Sequence, residues 1–131
     1  MKFRRHSGLM VAVAALTVIV DQATKWLVAT RMHLNQMWAP FPALSRYFTI
    51  TYTTNTGVAF GLLKEWGTVF VGVAVVVIAA IILYQRHMPD GQWLARVALG
   101  LQLGGAVGNL VDRVRLGYVI DFLDLKFWPA F

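Results

Sequence analysis

The sequence of 131 residues contains no cysteine and unusually few charged side chains. The absence of cysteine excludes disulfides, thiolate catalysis, a cysteine-based metal site and lipidation on a cysteine of this chain. Charged residues make up 14% of the chain and hydrophobic residues 58%, whereas soluble domains carry about 25% charged residues. The length allows at most one domain, and the composition is that of a protein embedded in lipid.

Acidic residues are the scarcest charged group, and half of them lie close together. Six are present against 12 basic residues, which gives a formal net charge of +6. Three of the six fall within Gly108–Asp124, GNLVDRVRLGYVIDFLD. The basic residues sit mostly at the edges of apolar runs, a pattern that suits membrane orientation better than nucleic-acid binding. We therefore expect membrane lipids as surroundings and no nucleic-acid partner.

Three apolar runs are long enough to cross a bilayer as helices, which takes about 20 residues each. They cover residues 9–30, 66–84 and 93–111. The second run carries no charge, and Gln85-Arg86-His87 ends it. In the third, Arg96 is expected to extend to the interface, and a small-residue face is expected to pack closely on another helix. That face consists of Gly100, Gly104, Gly105 and Gly108.

The first run also resembles a secretory signal peptide. Met1–Arg5 has the charge of an n-region and Leu9–Val20 the character of an h-region. Asp21 follows directly, however, and no small-x-small cleavage site stands at that point. These criteria favour a retained membrane helix over a cleaved leader.

Residues 31–65 separate the first two helices and are expected to form a small β-sheet and loop on the membrane surface. Tyr47–Thr54 is rich in β-branched and aromatic residues, as strands are, and Asn55–Gly61 has the composition of a turn. Residues 112–131 are expected to form a second surface segment. The predicted fold is an all-α membrane protein of three transmembrane helices with this small sheet.

Basic residues predict which side of the membrane each segment faces. Residues before the first helix and beside the link between the second and third belong in the cytoplasm by the positive-inside rule; they are Lys2, Arg4, Arg5, Arg86 and Arg96. The sheet region and residues 112–131 then face outward. Five basic residues on that outer side oppose this orientation: Arg31, Arg46, Lys64, Arg113 and Arg115.

Polar residues near the outer ends of the helices are the first candidates for a site. Asp21 and Lys25 are four residues apart and can face each other on the first helix. A carboxylate in a membrane helix is costly and usually functional, but a structural ion pair is the simpler interpretation here. Asn55 suits a plain turn, and the alternative is a hydrogen bond to a substrate backbone.

The acidic segment offers two different carboxylates. Asn109 and Asp112 share one face near the end of the third helix, and Asp112 is expected to be held by Asn109 and Arg113. Asp121 lies between apolar residues at the predicted membrane surface. Partial desolvation favours the neutral form of a carboxyl, which general acids and bases near neutral pH need.

No cofactor or metal is expected. The three histidines, His6, His33 and His87, form no HxxxH or HxxE pair, so a zinc site is not predicted. The glycines of the third helix lack the lysine and preceding strand of a phosphate-binding loop.

Three blocks together resemble bacterial lipoprotein signal peptidase, also called signal peptidase II. They are DQATK (Asp21–Lys25), NTGVAFG (Asn55–Gly61) and GGAVGNLVDRVRLGYVIDFLD (Gly104–Asp124). The resemblance covers essentially the whole chain. It implies a multi-pass aspartic endopeptidase of the bacterial inner membrane, with its active site facing the periplasm. Such enzymes need no cofactor and cut lipid-modified prolipoproteins just before the cysteine that carries the diacylglyceryl group.

The resemblance also implies roles for individual residues. Asp121 corresponds to one half of the catalytic pair of aspartates. Asn109, Asp112 and Arg113 correspond to supporting and positioning residues, Asn55 to a residue near the substrate. Asp21 and Lys25 match the aspartate and lysine of the first helix.

One departure separates the sequence from the family pattern. The second catalytic aspartate of the family lies in an N-x-A-D motif at the start of a fourth helix. Lys126–Phe131 resembles the approach to that motif, but the 131 residues contain neither the motif nor the fourth helix. The sequence is expected to be a truncated version or an incomplete record of a family member. We therefore expect residues 1–131 alone to be inactive. The alternative is a non-catalytic membrane protein that binds lipopeptides or packs with other helices. An ion or proton carrier using Asp21 and Asp112 is disfavoured, because no helix carries acidic residues deep in its middle.

Overall fold

A computed structural model describes residues 2–55 and 67–125 of the chain, with side chains for residues 7–54 and 68–122. This part of the chain forms three long α-helices and a small antiparallel sheet. A short 3₁₀ turn, Pro42–Leu44, lies between the first two strands. The elements are α1 (Lys2–Arg31), β1 (Met37–Trp38), β2 (Phe48–Asn55), α2 (Gly67–Arg86), α3 (Trp93–Leu116) and β3 (Val119–Leu125).

Each of the three helices contains a segment long and apolar enough to cross a membrane. These segments are Ser7–Arg31, Thr68–Arg86 and Trp93–Leu116, with mean hydropathies of 1.6, 2.5 and 1.3. The predicted fold of three transmembrane helices with a small sheet is confirmed. The 30 residues of α1 make a helix about 45 Å long, which exceeds the roughly 30 Å of the hydrocarbon core.

The third helix continues five residues beyond the predicted end at Val111. It ends at Leu116, where Gly117 adopts a left-handed conformation with φ of 84° and donates its N–H to the carbonyl of Arg113. Glycine takes this conformation without a steric penalty and therefore commonly terminates helices. Asp112 and Arg113 consequently lie within the last turns of α3, not in a surface segment after it.

The sheet contains two strands that the sequence pattern did not predict, β1 and β3. Its order is β1-β2-β3, with antiparallel pairing throughout. The predicted strand Tyr47–Thr54 corresponds to β2, and the acidic segment supplies β3 beside it. A bulge between Ile50 and Thr53 shifts the register, so that Thr53 pairs with Asp121. The turn predicted at Asn55–Gly61 lies almost entirely outside the described residues.

Glycines of α3 allow it to pack directly against α1. A Cβ added to Gly100 would lie 2.8 Å from the backbone oxygen of Met10, and one on Gly104 would lie 2.8 Å from that of Ala14. Gly108 faces the Asp21 side chain. The predicted small-residue face is therefore the α1 interface, but Gly105 is not part of it, because nothing lies within 4 Å of its added Cβ.

Polar side chains around Arg96 join the helices at the end remote from the sheet. Arg96 is only 4% exposed, so the expectation that it extends to the lipid interface was wrong. Its guanidinium donates to Gln85 Oε1 at 3.1 Å and to the Met88 carbonyl at 3.3 Å. Gln85 in turn exchanges hydrogen bonds with Ser7. A buried guanidinium needs such acceptors, which Gln85 of α2 and Met88 in the link after α2 supply.

Candidate active site beside the sheet

The candidate site is built on the part of α1 nearest the sheet. Asp21 and Lys25 lie one helical turn apart, and their charged atoms are 3.0 Å apart. This i,i+4 spacing brings side chains together on one helix face, as the sequence predicted. Lys25 is 5% exposed, so its ammonium group has left water and requires charged or polar partners.

The third helix supplies the remaining partners of Lys25. The ammonium lies 2.9 Å from Asp112 Oδ2 and donates to Asn109 Oδ1 at 3.0 Å. Asp112 is 1% exposed. Asn109 and Asp112 therefore share a face, as their spacing indicated, but that face meets α1. The expectation that Asn109 and Arg113 hold Asp112 was wrong, since the described contacts of Asp112 are with Lys25, Gln22 and Ile120.

Gln22 completes the cluster and was missed by sequence reasoning. Its side-chain amide donates to Asp21 Oδ2 at 3.0 Å, to Asp112 Oδ1 at 3.1 Å and to the Gly108 carbonyl at 3.2 Å. The signal was available in the DQATK block, where Gln22 lies three residues before Lys25 and so shares its helix face. We call Asp21, Gln22, Lys25 and Asp112 the buried polar cluster.

The buried polar cluster is connected directly to β3. The backbone N–H of Ile120 donates to Asp112 Oδ2 at 3.2 Å, and Ile120 itself is buried. On the other side of the strand pair, the Thr53 hydroxyl donates to the backbone carbonyl of Asp121 at 3.1 Å. The backbone on both sides of the Asp121 Cα is thus held by side chains of α3 and β2.

Asp121 is half-buried. Asp21 and Asp112 are both engaged by Lys25. Asp124 pairs through its backbone with Thr49, and its side chain lies outside the described part. Within the described residues no group of three metal-ligating side chains occurs. The arrangement thus holds the backbone beside Asp121, while Asp21 and Asp112 are both paired with Lys25.

Two further predicted residues occupy different positions around the cluster. Arg113 lies over the ring of Phe70, 5.3 Å from its centroid, and so connects α3 to α2. Such a cation–π contact is worth about 0.5–2 kcal/mol depending on desolvation. Asn55 is the last residue of β2, and its backbone pairs with Val119, two residues before Asp121. Its side chain lies outside the described residues.

Two cavities flank α1 beside the sheet. One, of about 450 Å³, is almost wholly apolar, and Phe122 is among its walls; the others are Thr24, Leu27, Val28, Arg31, Met32, Gln36, Trp38 and Ile50. The second, of about 470 Å³, is more polar, and Gln22 and Lys25 of the buried polar cluster line it together with Tyr52, Arg115, Tyr118 and Ile120, among others. Both cavities therefore adjoin the strand that carries Asp121.

Comparisons with known proteins agree with this architecture. The chain is 45% identical over 118 residues to a lipoprotein signal peptidase of Moorella thermoacetica, covering 90% of this chain and 77% of the relative. It is 47% identical over 120 residues to a lipoprotein signal peptidase of Symbiobacterium thermophilum, covering 92% and 76%. A solved structure described as a bacterial membrane enzyme superposes with a TM-score of 0.78 at 32% identity, over 90% of this chain and 70% of that one.

A second such membrane enzyme, also 32% identical, gives a TM-score of 0.77 over 95% of this chain and 81% of the other. The model of the family Signal peptidase (SPase) II matches residues 13–131. This match includes α1 from its apolar part onward, the sheet and the other two helices. The chain therefore belongs to the signal peptidase II family of multi-pass membrane aspartic proteases, whose relatives are lipoprotein signal peptidases.

Proposed function

We propose that this protein removes signal peptides from diacylglyceryl-modified prolipoproteins by cleaving the peptide bond before the lipidated cysteine. The observation that carries the proposal is the hydrogen bond from the Ile120 N–H to Asp112, which attaches the strand bearing Asp121 to a buried and fully partnered carboxylate. A catalytic carboxyl must be held in a fixed position. Asp121 is the carboxylate next to this anchored backbone.

Amide hydrolysis by carboxyl groups uses two aspartates that share one proton. The ionised member takes a proton from water as the water oxygen attacks the scissile carbonyl carbon. The protonated member donates its proton to the carbonyl oxygen. The resulting diol collapses when the amide nitrogen is protonated and leaves. We assign one of these two roles to Asp121 and the other to the aspartate of an N-x-A-D motif on a fourth helix.

The surroundings of Asp121 support a substrate that is part lipid and part peptide. The apolar cavity lined by Phe122 and Trp38 offers an acyl chain a place beside the strand, since apolar walls with few polar groups bind hydrocarbon. Asn55, at the end of β2, is proposed to hydrogen-bond the substrate backbone. Asn109, Asp112, Arg113, Asp21 and Lys25 are proposed as supporting residues, consistent with their positions between the helices.

The same assignment gives a location and an orientation. We propose that the protein resides in the bacterial inner membrane, with the sheet and Asp121 on the periplasmic side. The positive-inside distribution of Lys2, Arg4, Arg5, Arg86 and Arg96 supports this orientation. The lipid-modified prolipoprotein and membrane lipids are then its partners.

The test is a gel-shift assay on a prolipoprotein that carries the diacylglyceryl group, with mass spectrometry of the products. The enzyme is the chain extended by a fourth helix containing N-x-A-D, and residues 1–131 alone are assayed beside it. We expect the extended chain to release a signal peptide and leave the lipidated cysteine at the new N-terminus. The unmodified precursor should remain uncut.

Three results would contradict this proposal. Equal cleavage of the unmodified precursor would show that the enzyme does not recognise the diacylglyceryl group. Turnover by residues 1–131 alone would show that a second aspartate from a fourth helix is unnecessary. Saturable binding of the lipidated precursor by the extended chain without cleavage would favour the alternative of a non-catalytic lipopeptide-binding protein.

A further inference from the structure

Gln22 occupies the centre of the buried polar cluster although it carries no charge. Its one amide group lies within hydrogen-bond distance of Asp21 Oδ2, Asp112 Oδ1 and the Gly108 carbonyl, at 3.0, 3.1 and 3.2 Å. An amide nitrogen has two hydrogens, so these three acceptors share two donors. Gln22 thereby connects Asp21 in α1 with Gly108 and Asp112, which lie on two successive turns of α3.

The charge of the cluster explains why a neutral donor is needed there. Asp21 and Asp112 together carry two negative charges, and Lys25 supplies one positive charge to both. A second cation would have to be desolvated as well, which is costly inside the protein. An amide instead donates to both carboxylates and adds no charge, so that it weakens their mutual repulsion without a further desolvation cost of that size.

The two oxygens of Asp112 have different tasks. Oδ2 accepts from Lys25 and from the Ile120 N–H, whereas Oδ1 accepts from Gln22. In the described part of the chain, Gln22 is the donor to Oδ1, and together with the donors to Oδ2 it restricts the rotation of this carboxylate about its last bond. A rotation of the carboxylate would move Oδ2 away from the Ile120 N–H, and the backbone adjacent to Asp121 would lose its anchor.

We propose that Gln22 is a positioning residue of the peptidase, which orients Asp112 and through it the β3 backbone that carries Asp121. The inference rests on the proposed function, because it takes Asp121 to be catalytic. Gln22 itself is not required to touch substrate. Its loss should therefore lower the rate of the chemical step more than substrate affinity.

The kinetic test compares Gln22→Leu and Gln22→Glu with the unsubstituted chain, all extended by the fourth helix. Gln92→Leu and Gln92→Glu are matched controls, because Gln92 is exposed and its side chain makes no capping hydrogen bond at the start of α3. For Gln22→Leu we expect kcat to fall on the order of 10- to 100-fold, the scale of a misplaced catalytic group. KM should stay within about twofold if substrate contacts are intact.

The Gln22→Glu variant provides a signature that a purely structural role would not give. At neutral pH the new carboxylate adds a third negative charge to the cluster and donates nothing. When protonated, a carboxylic acid donates one hydrogen bond. The activity of Gln22→Glu relative to the unsubstituted chain should therefore rise as the pH is lowered, whereas that of Gln92→Glu should not.

A readout independent of activity uses residues 1–131 themselves. The Ile120 amide should exchange with deuterium at least about tenfold faster in Gln22→Leu than in Gln92→Leu, because local exchange reports local opening. Amides in the middle of α1 and α3 should keep their protection. Unchanged Ile120 exchange together with unchanged kcat would overturn the proposal. General loss of protection, or a flat relative pH profile for Gln22→Glu, would assign Gln22 a structural role only.

The proposed function fails in a different way. If Ile120 protection is lost in Gln22→Leu but Asp121→Asn retains full activity, Gln22 positions β3 and Asp121 is not catalytic. If Asp121→Asn is inactive and Gln22→Leu is not impaired, the function stands and the positioning role is refuted.

Discussion

Lys25 is the residue on which the buried polar cluster depends most. Its ammonium lies 3.0 Å from Asp21 and 2.9 Å from Asp112, in a setting where Asp112 is almost wholly buried. Buried ion pairs of this kind add little to the free energy of unfolding when compared with apolar residues in place of all the partners. Removal of one partner alone is destabilising, because it leaves a buried charge without compensation. The cluster is therefore better understood as a device for orientation than as a source of stability.

Replacing Lys25 by methionine should destabilise the chain by about 3–5 kcal/mol, the scale for breaking a buried ion pair. The methionine fills a similar volume but leaves two carboxylates without their cation. Adding Asp112→Asn should recover part of the loss, because it removes one of those charges. Thermal unfolding in detergent of the two single variants and the double variant measures this coupling. Strictly additive losses would contradict the cluster as described.

At this scale the sequence indicated the partners within each helix but not those between helices. The i,i+4 spacing of Asp21 and Lys25 and the i,i+3 spacing of Asn109 and Asp112 follow from helix geometry alone. The contact of Lys25 with Asp112 depends on the axial register of α1 against α3, which no local pattern contains. For the same reason Arg113 was expected on Asp112, its sequence neighbour, and is found over Phe70 instead.

The contact of α1 with α3 is the element-scale feature that sets this register. Gly100, Gly104 and Gly108 recur every four residues, which places them on one face of α3. The backbone oxygens of Met10 and Ala14 lie where side chains would otherwise project. Close approach of two membrane helices depends on such small residues, and it brings Lys25 within reach of Asp112.

Gly104→Ala should force the two helices apart, because its Cβ would lie 2.8 Å from a backbone oxygen that has no rotamer to change. Overpacking of this kind costs about 1–3 kcal/mol. Gly105→Ala is the matched control, since its Cβ meets nothing within 4 Å. Thermal unfolding in detergent should show a lower Tm for Gly104→Ala and an equal or higher one for Gly105→Ala. Equal Tm values for the two variants would argue against tight α1–α3 packing.

The strand β3 shows where prediction from local pattern failed for an element. Apolar and polar residues do not alternate regularly in Val119–Leu125, so the segment lacks the usual strand pattern. Its partner β2 precedes it by more than 60 residues. Pairing with so distant a strand leaves little local trace. The end of α3, by contrast, could have been predicted from the sequence. Gly117 follows a helical turn that contains Arg113 and Arg115, and both a glycine after the last turn and basic residues within it are typical of a helix C-terminus.

At the scale of the whole molecule, polar contacts gather at the two ends of the helices. One end holds the sheet and the buried polar cluster, and the other holds Ser7, Gln85 and Arg96. Between them the described helices expose mostly apolar side chains, as lipid requires of a membrane-spanning surface. The two ends of the molecule therefore differ, and the proposed function requires the end with the sheet to face the periplasm.

The absence of cysteine makes that orientation directly measurable. Single cysteines can be introduced as Ser45→Cys, in the exposed loop beside the sheet, and as His87→Cys, in the exposed link between α2 and α3. A membrane-impermeant maleimide added to cells whose outer membrane has been permeabilised should label the cysteine at position 45. The cysteine at position 87 should react only after the inner membrane is opened. The reverse pattern would place the sheet in the cytoplasm.

Single-turnover cleavage of a lipidated prolipoprotein tests whether Asp121 is one of the two catalytic carboxyl groups. The comparison is between Asp121→Asn and Asp124→Asn in the chain extended by a fourth helix containing N-x-A-D. An amide cannot exchange protons as a carboxyl does, so we expect Asp121→Asn to abolish cleavage while still binding the precursor. Asp124→Asn should cleave at the unsubstituted rate. Full activity of Asp121→Asn would show that Asp121 is not a catalytic carboxyl group.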